Sequence, residues 1–180
     1  MEALLGAFAI FYIFILLISL AIAILGIIAQ WRLFEKAGEP GWSSIIPVYN
    51  FMQMIKIATG TFKLAWIYLA ICGVYFIGTI GMIMIPLFMD SDAATAVMAL
   101  AYLGSFVIMI PLYIIAGYTS YMFAKSYGKS DIFCILSIFF SGITFIIMGF
   151  DSSTSYVGPK GVPQYNNYGG YNGYNNYNGY

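Results

Sequence analysis

The stretch ALLGAFAIFYIFILLISLAIAILGIIA, residues 3–29, decides the class of fold. It runs 27 residues without a charged side chain. As a helix at ~1.5 Å per residue it reaches about 40 Å, more than the ~30 Å hydrocarbon core of a bilayer, so it can span with tilt. It does not read as a cleavable signal sequence. No positive charge precedes it, its apolar length is about twice the usual, and Arg32 and Lys36 follow it.

Three further apolar runs lie at 64–89, 93–124 and 132–150. The sequence therefore predicts an all-α integral membrane protein with four transmembrane helices at 3–29, 64–89, 93–124 and 132–150, and an ordered module ending at residue 151. Composition agrees. Hydrophobic residues make up 62% of the chain and charged residues 8%, too few to clothe a water-soluble domain of this size. Those charges fall between the apolar runs, as the cost of a charge at the bilayer centre requires. Pro111 sits in the middle of the third run, where a kink is expected.

Orientation follows from the distribution of Lys and Arg. Arg32, Lys36, Lys56 and Lys63 lie between the first two runs, Lys125 and Lys129 between the last two. Asp90 and Asp92 occupy the turn between the second and third, the amino terminus has Glu2, and the tail has Lys160. With four crossings, both termini are expected outside the cell membrane and the two basic loops inside.

The most informative connection is WRLFEKAGEPGWSSIIPVYNFMQMIKIATG, residues 31–60. Trp31 and Trp42 suit interfacial anchors, with amphipathic rings at headgroup depth. Pro40-Gly41 is a turn signal, and Glu39 before Pro40 is disfavoured in a helix. Ser43 or Ser44 can cap a new helix, with Pro47 in its first turn. Asn50, Gln53 and Lys56 then recur every three residues among apolar ones, which predicts a short helix over 44–58, interfacial or re-entrant.

The string WRLFEKAGEPGW (31–42), followed by IIPVYN (45–50), KIATG (56–60) and AKSYGK (124–129), resembles an uncharacterised family of small prokaryotic multi-span membrane proteins. These carry a domain of unknown function and sometimes a signal-peptidase-like name. The resemblance covers roughly residues 20–151 and implies a compact multi-span module with no established activity. The chain departs from the family pattern in the wider spacing of Phe62 and Trp66, and the tail lies outside the resemblance.

Candidate partner or ligand contacts are Arg32, Glu35, Lys36, Glu39, Tyr49, Asn50 and Lys56. The plainer reading is that Glu/Lys pairs solvate a loop whose geometry Trp and Pro-Gly fix. Asn50 stands out, because a carboxamide at membrane depth wants a hydrogen-bond partner. No catalytic residue, metal site or cofactor site is expected. The chain has no His, which removes Ser/His and Cys/His nucleophiles and the commonest metal ligand. A Ser–Lys dyad of Ser43 or Ser44 with Lys56 or Lys63 would need a desolvated lysine, and these lysines read as interfacial. No ionisable residue lies inside the runs, which disfavours ion-coupled transport. Cys72 and Cys134 read as small buried apolar residues.

From residue 152 the composition changes. Residues 165–180, YNNYGGYNGYNNYNGY, contain only Tyr, Asn and Gly, with tyrosine at every third position. Without aliphatic residues such a segment has nothing to build a core from and is expected to be disordered. The leading expectation is a non-enzymatic membrane scaffold or assembly protein with an external adhesive tail. Its partners would be the lipid bilayer and, through the tail, either other copies in a homo-oligomer or an envelope component, with no nucleic acid. The alternative is a passive channel or small-solute permease, as a single chain or an oligomer.

Overall fold

The computed structural model describes residues 2–84 and 88–163. Among these are α1 (Glu2–Lys36), α2 (Pro47–Thr59), α3 (Lys63–Met84), α4 (Ser91–Ser126), α5 (Asp131–Phe139) and α6 (Ser141–Phe150), with short 3-10 turns at Gly41–Ser44 and Pro159–Gly161. The fold is all-α. Three stretches, Ile10–Lys36, Lys63–Met84 and Asp92–Ser126, are long and apolar enough to cross a membrane. Every residue of α1 from Ile10 to Ile18 is a large hydrophobic and exposed, and nine consecutive such residues leave no polar side to that stretch, as lipid contact demands. α4 continues through Pro111.

The long helices α1 and α4 stop by the same device. Gly38 has φ 75°, its N–H donates to the Glu35 carbonyl (3.0 Å), and the Glu39 N–H donates to the Phe34 carbonyl (2.9 Å). Gly128 has φ 67°, with its N–H on the Lys125 carbonyl (2.9 Å) and the Lys129 N–H on the Ala124 carbonyl (3.4 Å). Both are left-handed glycine caps that satisfy the last carbonyls of a helix. The two capped ends lie side by side, where the Tyr127 hydroxyl donates to the Leu33 carbonyl (2.5 Å).

The fourth apolar run differs from a single span. It breaks at Phe140 (φ −124°, ψ 42°) into α5 and α6, of 9 and 10 residues. Each is about 15 Å long or less, half of what a crossing needs. The pair folds back on itself. Lys129, before α5, forms an ion pair with Asp151, after α6 (3.0 Å). Lys36 Nζ donates to the carbonyls of Met148 (3.3 Å) and Asp151 (2.8 Å), tying the end of α6 to the end of α1. α5 packs on α4 and α6 on α1. A methyl group on Gly149 would lie 2.6 Å from Ala29 Cα, so only glycine permits that approach.

Two expectations change with it. The chain does not leave the fold at residue 151, because residues 152–163 form a strap across the helix ends. Thr154 is buried, the Tyr156 ring packs on Tyr127 (centroids 5.5 Å), and its hydroxyl donates to the Ile57 carbonyl (3.1 Å). Nor does Lys160 lie away from the basic loops. The neighbouring Gly161 sits against the Lys125 carbonyl, on the same end of the molecule as Lys36 and Lys129. The cause is the hairpin, which returns the chain to the end it started from. The tyrosine-triplet segment lies outside the described residues.

The core is gathered at this cationic end. Leu33 and Phe34 of α1, Met54 and Ile57 of α2, Phe123 of α4 and Tyr127 just past its end, Cys134 of α5, and Phe145 and Met148 of α6 form one cluster. Phe123 is its hub, with its ring edge-on to Phe34 (6.3 Å), Tyr127 (5.1 Å) and Phe145 (5.0 Å).

Candidate functional site

The loop after α1 turns at Gly38–Pro40 and doubles back along the helix. Gly41 packs directly against the Trp31 ring, so the chain has descended by about one and a half helical turns from its exit at Lys36 before α2 begins. Neither serine caps α2. The Ser43 hydroxyl donates to the Pro40 carbonyl (2.6 Å) inside the 3-10 turn, and Pro47 is the first residue of the helix, with Ile46 before it. The expected 44–58 helix is therefore Pro47–Thr59, and it climbs back toward the cationic end. Its lower tip exposes Trp42, Ile45, Ile46 and Val48.

This geometry divides the candidate residues among three places. At the lower tip, the Trp42 ring stacks on Tyr49 (5.5 Å, 14°). Asn50 Nδ2 donates to Gln30 Oε1 of α1 (2.5 Å) and to the Ser44 carbonyl (3.0 Å), while Gln53 Nε2 donates to the Tyr49 hydroxyl (2.8 Å). Asn50 has the partner its position calls for. Yet Ser44 Oγ, Asn50 Oδ1 and Gln53 Oε1 are buried acceptors without a partner among the described residues. Ser44 is 3% and Gln53 2% exposed, so bulk solvent does not reach them, and such atoms are costly unless something donates to them.

At the second place Lys56 pairs with Glu39 (2.6 Å) beside a cavity of about 240 Å³, bounded by Ala37, Gly60, Tyr156 and Pro159. Lys56 Nζ also lies over the Phe62 ring (5.4 Å). Burial raises the Tyr156 phenol above its ordinary pKa, with the Glu39 charge adding to it. Tyr156 and Pro159 of the strap form one wall of this cavity.

At the third place, Arg32 lies over the Phe150 ring (4.7 Å), and Lys36 holds the α6 carbonyls. Glu35 accepts from Trp31 Nε1 (2.6 Å). These side chains and Ser152 border a groove of about 400 Å³ between α1 and α6. Asp151 has its pKa held well below the usual carboxylate range by hydrogen bonds from the Ser153 and Thr154 hydroxyls, then by Lys129 and the Ser153 N–H. Lys125 forms a further ion pair with Asp131.

Sequence reasoning found Asn50 and the loop cations but missed Gln30, Tyr127, Lys129 and Asp151. Gln30 closes the first apolar run, a polar residue just where the helix nears the surface. Its pairing with Asn50 depends on how far the loop doubles back, which residue spacing does not reveal. Among the described residues no three His, Cys, Asp or Glu side chains come together as a metal site would require.

The model for a family of unknown function (DUF5684) matches residues 97–159. The match covers most of α4, the α5–α6 hairpin and the strap as far as Pro159, including the AKSYGK segment, and excludes the 31–60 loop. The chain is similar to an uncharacterised family over that part. No curated protein and no solved structure matches it.

Proposed function

We propose that this protein is a non-enzymatic membrane scaffold or assembly module that presents a rigid cationic face. The observation that carries this reading is how the polar groups of that face are used. Lys36 secures α6, Lys56 pairs with Glu39, Lys125 with Asp131, and Lys129 with Asp151. Each contact ties one segment of the chain to another, as a platform needs, and leaves these lysines poorly placed for proton transfer.

The positive-inside rule, applied to the fold, makes the cationic face cytoplasmic. All seven Lys and Arg belong to it, against Glu35, Glu39, Asp131 and Asp151, while Glu2, Asp90 and Asp92 head the far ends of α1 and α4. The amino terminus is then extracytoplasmic, and the Tyr/Asn/Gly segment leaves the strap on the cytoplasmic side. Its partner is accordingly another copy or a cytoplasmic protein in place of the envelope component expected from four crossings.

The test is co-purification from native membranes in mild detergent, comparing the full chain with one lacking residues 164–180. The scaffold reading expects a defined protein or a second copy to accompany the full chain and to be reduced by the deletion. Recovery of only lipid and monomer with both chains would sink it.

The second reading, a passive path for a small polar solute, is favoured by the unpartnered oxygens of Ser44, Asn50 and Gln53. Solute flux in liposomes that is abolished by Asn50→Leu would select this reading over the scaffold.

A further inference from the structure

We propose that the groove between α1 and α6 is a binding site for an anionic phospholipid, with Arg32 as its headgroup ligand. Arg32 has no carboxylate within ion-pair distance and no hydrogen-bond partner among the described residues; it lies over the face of Phe150 (4.7 Å). A guanidinium in that position keeps its donor edge free for the bidentate contact that phosphate favours. It stands one turn before the end of α1, where a membrane-spanning helix meets the headgroups.

What lies beneath Arg32 distinguishes a lipid from a free phosphate. Leu25 and Ile28 precede Arg32 by seven and four residues, so they share its side of α1. Ile143 and Ile147 precede Phe150 by seven and three, so they share its side of α6. All four are exposed. Both helices run toward the cationic end, and the Arg32–Phe150 contact sets their two stripes side by side. The result is a cation above a continuous apolar track, the shape of an amphiphile with an anionic head. The groove's own carboxylates are engaged elsewhere, Glu35 by Trp31 and Asp151 by Lys129, and the surrounding face carries seven cations against four carboxylates and attracts an anionic leaflet.

The experiment uses the purified full chain in nanodiscs or detergent, with phosphatidylglycerol, phosphatidylcholine and inorganic phosphate as probes. Lipid retention by native mass spectrometry and the shift in unfolding temperature are read together. Phosphatidylglycerol is expected to be retained and to raise the unfolding temperature, and phosphatidylcholine and inorganic phosphate to do neither. Arg32→Gln should weaken phosphatidylglycerol retention about fivefold, the effect of one basic residue near an anionic surface. Arg32→Lys should restore part of it, and Lys160→Gln, which removes one charge elsewhere on the face, should leave it near the wild-type value. Equal loss with Lys160→Gln would overturn the site in favour of diffuse attraction. Equal retention of the two lipids, or an effect of inorganic phosphate matching that of phosphatidylglycerol, would overturn it as well.

Discussion

Lys129 Nζ lies 3.0 Å from Asp151 Oδ2, and this contact fixes the topology of the carboxy-terminal third. Lys129 precedes α5 and Asp151 follows α6, so the helices between them leave and re-enter the same end of the molecule. α5 and α6 have 9 and 10 residues. Laid end to end they would separate the two side chains by nearly 30 Å. The pairing therefore requires a hairpin, and the hairpin delivers the strap onto the helix ends at Tyr127 and Ile57.

Labelling from one side of the membrane tests that topology. In a background with Cys72→Ala and Cys134→Ala, single cysteines would be introduced as Lys160→Cys, Thr61→Cys and Asp92→Cys. Lys160→Cys and Thr61→Cys are expected to react with an impermeant reagent from the same side, and Asp92→Cys from the other. Reaction of Lys160→Cys together with Asp92→Cys would mean that the fourth apolar run crosses after all.

The α1–α6 contact makes a sharper demand on side-chain size. A methyl at Gly149 would sit 2.6 Å from Ala29 Cα, whereas at Gly104 of α4 it would meet nothing within 4 Å. Gly149→Ala should therefore destabilise the fold by about 1–3 kcal/mol through overpacking. Gly104→Ala should be neutral or stabilise by up to ~1 kcal/mol, since it removes backbone freedom from a helix interior. Unfolding followed by intrinsic fluorescence in detergent would compare them. Equal effects would show that the close approach at Ala29 is not maintained.

These contacts explain which parts of the fold were legible in the sequence. The long apolar runs announce α1, α3 and α4, because a charge-free stretch of that length has few other uses. The turn chemistry of Pro40-Gly41 and the threefold spacing of Asn50, Gln53 and Lys56 announce α2. The hairpin was not legible. The run 132–150 has just enough apolar residues to cross, and its break at Phe140 carries neither proline nor a left-handed glycine. The hairpin is held by tertiary contacts, Lys129 with Asp151 and Lys36 with the α6 carbonyls, which residue spacing does not reveal. The candidate site was legible in part for a similar reason. Residue spacing placed Asn50 on the polar side of α2, but only the doubled-back loop brings it to Gln30.

The aromatic hub gives a stability prediction confined to one end of the molecule. Phe123 is fully buried among Phe34, Tyr127 and Phe145, while Phe106, on the same helix, is 55% exposed. Phe123→Ala should cost about 3–5 kcal/mol, the usual penalty for emptying a large aromatic site in a core. Phe106→Ala should lower unfolding temperature far less, because lipid or detergent fills the space it leaves. A comparable loss for the two would mean that the span half of α4 is packed as tightly as its cationic end.

Asp151 sets the response of the fold to acid. Its carboxylate accepts from the Ser153 N–H (2.9 Å) and hydroxyl (2.6 Å) and from the Thr154 hydroxyl (2.7 Å), and it faces Lys129. These contacts favour the charged form and depress the folded-state pKa. A group with a depressed pKa contributes its full stability above the unfolded value, ~3.9 for aspartate, and loses it as pH falls toward the folded value. Wild-type unfolding temperature should therefore fall as pH is lowered below about 4, as the carboxylate begins to protonate in the unfolded chain. Asp151→Asn should be less stable than wild type at neutral pH, and its curve should approach the wild-type curve in acid. Unfolding in detergent from about pH 2 to 7 would show the convergence, with any carboxylate that titrates in both proteins cancelling in the difference. A gap between the two proteins that stays constant over that range would mean that the negative charge on Asp151 does not hold the hairpin to the strap.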